Sequence, residues 1–310
     1  MLDVLQLTLD GLLDGGVYAL LGLGLSLTFG CLRRLNLAYG ATAMLAAYVG
    51  AWLHGRYQMS TAFIALAVVM SATLIGCYVE QLCFARAPDD ATRSPAPDDK
   101  SFTSNSREMT ALASSFALWM QLEQLAVNLL PRHLNAFPSM AVGETWMIGE
   151  LMIRPDRLAL MLLSIVITLT MAVWLQRTRA GLSWRAAADH RTAANLAGMP
   201  VAWLQTTGFA VACALSGLAA FAVLSLEGQV TPMFGMWVLF KGLVAAMLGG
   251  LGSVRGVLWG GLLLGVVESF AQSLLGAQGR EFASYALLML VMIWPVRSQS
   301  SRLMPRGIRP

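Results

Sequence analysis

The chain has 310 residues, 57% hydrophobic and only 12% charged, a balance that excludes an ordinary water-soluble domain. Its formal net charge of +4 comes from 21 basic and 17 acidic residues. The basic residues sit in short loops between apolar runs rather than along one face, so they encode membrane orientation and not a nucleic-acid surface.

Runs apolar and long enough to cross ~30 Å of hydrocarbon occur at 5–29, 37–53, 61–85, 109–130, 158–175, 201–226, 236–251, 257–275 and 282–294. The first has no basic leader or cleavage site before it and is expected to be kept as a span. The seventh is short enough to be a broken or re-entrant helix. The fold expected is therefore a single all-α, polytopic transmembrane helical bundle over 1–310, with eight or nine spans. With nine spans and the N-terminus outside, fifteen of the 21 basic residues fall in inside loops and five outside, with Lys241 left in a span. That asymmetry sets the orientation.

Between the spans, 87–106 (APDDATRSPAPDDKSFTSNS) has almost nothing to bury and is expected to be a mobile cytoplasmic loop. The stretch 131–155 mixes Phe137, Trp146 and Met147 with polar residues, as an ordered external cap would. The loop 177–200 is the long polar island of the second half, and 297–310 reads as a cytoplasmic tail. Glycines lie within the spans: Gly11 and Gly15, Gly252, Gly256 and Gly260, then Gly261 and Gly265, giving small faces for close helix contact.

Catalytic readings fail on their residues. The segment 249–256 (GGLGSVRG) lacks the spacing of a dinucleotide loop, and no GxxxxGK[ST] occurs, so the chain is not expected to hydrolyse ATP itself. Ser216 has Ala214 where an intramembrane protease needs glycine, and His54, His133 and His190 all fall in loops. Cys31, Cys77, Cys83 and Cys213 show no CxxC spacing and read as packing residues. No metal or other cofactor is implied.

The ionisable residues within spans are Asp10, Asp14, Glu80, Glu123, Lys241 and Glu268. Each costs at least ~2.5 kcal/mol if it faces lipid at mid-bilayer, so they should pair, face the bundle interior or sit near an interface. Asp10, Asp14 and Glu80 lie near span ends, where a wet position suffices. Lys241 and Glu268, on neighbouring late spans, are expected to form an ion pair, structural or lining the pathway; reversing both charges should then restore what either single reversal loses.

The island 177–201 (RTRAGLSWRAAADHRTAANLAGMPV) has the grammar of a short helix. Ser183 can cap a helix running through Trp184 to Asp189, Gly198 suits a helix end, and Pro200 suits the first turn of the next span. Ala186, Ala187, Ala188, Ala193, Ala194 and Ala197 would give a smooth surface for a partner.

Three ordered motifs now carry a resemblance. Residues 15–40 (GGVYALLGLGLSLTFGCLRRLNLAYG), the island, and 241–269 (KGLVAAMLGGLGSVRGVLWGGLLLGVVES) are similar to the glycine-rich first span and NFAHGE signature, the RTxxGxxxRA loop, and the LGGLGSxxG segment of the LivH-type permeases of branched-chain amino acid ABC importers. Asn36, Ala38 and Gly40 are kept from the signature, while Tyr39 and Ala41 replace its His and Glu. The resemblance implies that 177–200 is a cytoplasmic coupling helix seated on ABC ATP-binding subunits, with Arg185, Ala186, Asp189, Ala193, Ala194 and Gly198 as the contact positions. It also implies a second related permease subunit, a periplasmic solute-binding protein and a place in the bacterial inner membrane. Asn36, Lys241 and Glu268 become candidates for lining or gating the path. The solute expected is a branched-chain or other hydrophobic amino acid. Urea or a short amide is the alternative, and an ion-coupled secondary transporter is a further one that leaves the island unexplained and lacks the inverted repeat.

Overall fold

The computed structural model describes residues 2–32, 36–83, 100–129, 135–139, 146–148, 151–189 and 191–293. In an apolar medium a backbone must satisfy its own N–H and C=O groups, and the described part of each of the nine predicted apolar segments accordingly lies in a helix to within two residues. These are α1 (Leu2–Leu32), α2 (Ala38–Tyr57), α3 (Thr61–Cys83), α4 (Lys100–Leu129), α5 (Pro155–Arg177), α8 (Val201–Glu227), α9 (Phe234–Gly249), α10 (Val254–Leu275) and α11 (Ala277–Ile293). Two short helices, α6 (Arg179–Asp189) and α7 (Arg191–Leu196), occupy the island. Five segments are long and apolar enough to cross a membrane by length and composition: Asp3–Phe29, α3, α5, α8 and α10. The chain is thus an all-α, multi-pass membrane protein.

Two expectations change. The 16 residues of α9 run as one unbroken helix, about 24 Å long. Of the expected loop 87–106, residues 87–99 lie outside the described residues, while Lys100–Ser106 already belongs to α4. Nothing between Lys100 and Arg107 is Pro or Gly, so a helix nucleated in the apolar segment can propagate back through them, at a cost of no more than about 0.7 kcal/mol for each residue. The tail 297–310 lies outside the described residues.

The helices alternate between two ends. At one end the Gly252 N–H donates to Ser26 Oγ at 2.9 Å and Arg255 donates to Gln176 at 3.0 Å, gathering the C-terminal ends of α1 and α5 with the start of α10. There too Thr206 donates to Glu80 at 3.1 Å; Glu80 is only 4% exposed, so it is buried and hydrogen-bonded rather than wet. At the other end Gln6 pairs with the Met152 backbone at 2.9 and 3.2 Å. Strand β1 (Asn135–Ala136), beyond α4, pairs antiparallel with β4 (Gln229–Val230), beyond α8. Of the rest of the expected external cap the structure describes residues 137–139, with the buried Phe137 donating its N–H to Gly228 O at 2.9 Å, and a hairpin of β2 (Trp146–Ile148) and β3 (Leu151–Ile153).

Helix α1 is the axis: 83% of its apolar window is buried, against α5, α8, α9 and α10. Its contact with α10 uses the expected glycines. A Cβ on Gly265 would stand 2.2 Å from the Gly11 carbonyl oxygen, and one on Gly261 would stand 2.3 Å from the Ala19 nitrogen. The two backbones approach as closely as small residues allow.

Candidate functional site

Two places in the bundle hold the residues singled out by the sequence. The first lies near the end at which α1 and α5 begin. Lys241 and Glu268 each sit seven residues from the end of their helix there, which is about 10 Å of axial rise. Lys241 Nζ donates to Glu268 Oε1 at 2.5 Å, and both side chains are at most 2% exposed. The same ammonium donates to Ser284 Oγ at 2.7 Å and lies 3.3 Å from Glu281 Oε1. It thus makes two hydrogen bonds and a further ion-pair contact, and the rings of Tyr18 and Trp237 lie 5.7 and 5.8 Å away. The expected pair forms, but as the centre of a larger cluster.

Glu268 Oε1 also accepts from Ser284. Its Oε2 accepts from Tyr18 at 2.8 Å and from Arg280 Nε at 3.1 Å. Arg280 continues to Asp14 at 2.9 Å and to the Tyr18 hydroxyl, and Arg157 stands 3.4 Å from Asp14. Three cations and three carboxylates from α1, α5, α9, α10 and α11 are joined, with every lone-pair direction of Glu268 used. Such saturation is what makes buried charge tolerable. What the cluster can do is hold five helices in one register.

Sequence reasoning found the central pair and missed the rest. Arg157 and Arg280 fall just outside the predicted spans 158–175 and 282–294, among the basic residues counted in outside loops, and Tyr18 and Ser284 fall within apolar runs. A signal was present: Asp14 and Tyr18, and Arg280 and Ser284, are four residues apart and so share a helix face.

The second place is the island, at the opposite end. Helix α6 starts at Arg179, not Ser183. Thr178 caps it, its Oγ1 accepting from the Gly181 N–H at 3.1 Å and donating to the Trp174 carbonyl at 2.7 Å. Ser183 lies inside the helix and donates back to Arg179 O at 3.0 Å. A Cβ on Gly181 would fall 2.5 Å from the Leu175 backbone, so α6 folds tightly against the end of α5. Trp184 packs edge-on against Trp174 with ring centroids 5.0 Å apart, and Trp184, Ala187, Ala194, Val201 and Leu204 form a small apolar core of their own.

Ala187 and Ala194 therefore face inward, and the free surface is made of other residues. Arg185 and Ala193 are exposed, as are Leu182 at 60% and Leu196 at 86%, while Ala186 is half-buried. After α7 the N–H of Gly198 bonds to Asn195 O and that of Met199 to Ala194 O, both at 3.0 Å. This is a Schellman closure, which needs the φ of +78° that Gly198 supplies. Pro200 is the N-cap of α8. Asp189 closes α6, and His190 lies outside the described residues.

Asn36 joins neither group. It precedes α2, is 1% exposed, and its Oδ1 accepts from the Ala38 N–H at 3.0 Å. Its Nδ2 has no partner among the described residues.

Comparison with known proteins adds to this geometry. The chain matches the model of a family described as the permease component of the branched-chain amino acid transport system, over residues 7–86 and 93–294. It is similar to the high-affinity branched-chain amino acid transport system permease protein LivH of Salmonella typhimurium, 25% identical across 98% of this chain and 94% of that one. It is also similar to the corresponding permease protein BraD of Pseudomonas aeruginosa, 24% identical across 94% and 93%. A shorter likeness, 28% identical over 42% of this chain and 37% of the relative, is to the fructose import permease protein FrcC of Rhizobium meliloti.

Proposed function

Because this chain belongs to the branched-chain amino acid transport permease family, we propose that it is the membrane-spanning subunit of an ABC importer, carrying a branched-chain or other hydrophobic amino acid across the bacterial inner membrane. It is a transport component and not an enzyme; ATP hydrolysis belongs to separate ABC subunits. The nine alternating helices are read as nine crossings with the N-terminus outside, which puts Arg177, Arg179, Arg185 and Arg191 in the cytoplasm, in keeping with the basic asymmetry of the loops. A periplasmic solute-binding protein delivers the amino acid, and a second related permease subunit completes the conduit. Full-length similarity to two amino acid permeases, against a partial one to a sugar permease, favours the amino acid over the alternatives.

The observation that carries this reading is the construction of α6 and α7. One face is anchored through Thr178, Gly181 and Trp184 to α5 and α8, and the opposite face leaves Leu182, Arg185 and Leu196 open. A subunit gripping that open face would move α5 and α8 together, so closure of the ATPases would tilt spans rather than merely bend a loop. Arg185, Ala186, Asp189, Ala193 and Gly198 are the proposed contact positions, with Ala194 supporting them from within. Lys241 and Glu268 hold the outer part of the conduit shut to lipid, and Asn36 is the polar group offered to the path at the inner end.

The test is recovery of the ATPase with the tagged chain from native membranes. Arg185→Glu is expected to lower it at least roughly tenfold, the order of loss when one central contact of an interface is reversed, while the permease keeps its melting temperature within a few degrees; Gly198→Trp, which both blocks the surface and strains the helix end at φ +78°, is expected to lower it at least as far. Undiminished ATPase in both variants would sink the assignment of α6 and α7 as the coupling element.

A further inference from the structure

Helices α3 and α5 turn smooth apolar faces outward: Phe63, Leu66, Met70 and Leu74 on the first, Leu162, Val166, Leu169 and Val173 on the second, all between 49% and 66% exposed. On α3 the hydroxyls beside this face are satisfied within the helix, Ser71 donating to Val68 O at 3.0 Å and Thr73 to Val69 O at 2.7 Å. Such faces suit hydrocarbon. Helix α4 is different. Its exposed residues include Ala113, Ala117, Gln121, Gln124 and Asn128, which at 100° per residue fall within one quarter of the helix surface. Phe116 and Met120, at 52% and 56% exposed, flank that strip on one side, and Leu125 at 54% on the other.

Asn128 is in the last turn of α4, where water or headgroups reach it. Gln121 lies eight residues inside the end of α4, about 12 Å in, and Gln124 about 7.5 Å in. A carboxamide has two donors and an acceptor, of which a side chain one turn away on its own helix satisfies only part. In hydrocarbon these groups would be left bare at considerable cost. Elsewhere among the described residues, the exposed glutamines of long helices stay near helix ends, as Gln81, Gln272 and Gln278 do.

We propose that this face of α4 is the seat of the second permease subunit, which meets it with its own equivalent helix. The chemistry selects the occupant. A strip of small residues and amides with apolar flanks is the pattern by which membrane helices associate through close contact and interhelical hydrogen bonds. Amides are both donor and acceptor, so equivalent helices facing each other across a two-fold or pseudo-two-fold axis satisfy one another reciprocally. The inference rests on the permease reading and adds to it the face and the residues by which the subunits join.

A photo-reactive benzoylphenylalanine placed at 121 or 124, in the complex within native membranes, is expected to give adducts whose cross-linked peptides map by mass spectrometry to a permease-type chain, either another copy or a relative. The same probe at 66 or 166 should attach to lipid alone. Lipid adducts only, or adducts only to a soluble subunit, at both 121 and 124 would overturn the proposal. Where the probe disturbs folding, Gln121→Leu with Gln124→Leu decides. A lipid-facing strip gains or is unchanged by leucines, whereas loss of two interhelical bonds lowers recovery of the second permease roughly tenfold, and unchanged recovery of that subunit would equally overturn the proposal. The ATPase content of the same preparation scores the permease reading separately, so lipid adducts in an ATPase-containing complex would remove the α4 interface and leave that reading standing.

Discussion

Lys241→Met should remove most of the folded protein from the membrane, with a loss of stability of about 3–5 kcal/mol, the cost of breaking one partner out of a buried ion pair. Methionine matches the length of the lysine stem, so the loss is electrostatic. Glu268 keeps Arg280 and Tyr18 but loses the cation 2.5 Å from its other oxygen, and Glu281 loses its partner as well. Adding Glu268→Gln should recover more than half of the deficit, because the amide carries no charge, its oxygen still accepts from Tyr18, and its NH2 can donate to the Ser284 hydroxyl that Lys241 has left. Reversal of both charges, by contrast, should not rescue. A cation at 268 would stand against the Arg280 guanidinium, now 3.1 Å from Glu268, so the rescue expected of an isolated pair is lost in the cluster. Thermal unfolding followed by size-exclusion chromatography in detergent ranks the three variants. A charge-reversed double variant as stable as the parent would show that Arg280 is not part of the unit.

Gly265→Leu is the second large effect. Its Cβ alone would stand 2.2 Å from the Gly11 carbonyl oxygen and 2.6 Å from Gly15 Cα. Both are backbone atoms of the central helix, which cannot move aside without also shifting Asp14 and Tyr18. The substitution should cost at least the ~3 kcal/mol of severe overpacking. Leu263→Ala, two residues away at a side chain 51% exposed, should change stability by less than about 1 kcal/mol. Equal melting of the two variants would mean that α1 and α10 do not lock through their glycines.

How much of this was legible beforehand depends on the range of the interaction. The nine helices were readable because a lipid-embedded backbone has few conformations available. Gly198 was readable because a helix end demands a positive φ. The pairing of Lys241 with Glu268 followed from the cost of leaving either alone. Arg157 and Arg280 were not legible as cluster members, because a basic residue at a span end looks the same whether it serves topology or reaches inward. The start of α6 was missed for a local reason: Thr178 and Ser183 are both competent caps, and the close approach of Gly181 to Leu175 selects the first. The alanines of the island were read as one surface, but packing under Trp184 turns Ala187 and Ala194 inward.

ATP-driven uptake of radiolabelled leucine into proteoliposomes tests the function most directly. With the purified complex, its binding protein and ATP, uptake should proceed, be abolished when the ATPase is inhibited, and be indifferent to ionophores that collapse proton and sodium gradients. Uptake by this chain alone, driven by an imposed ion gradient without ATP, would contradict it.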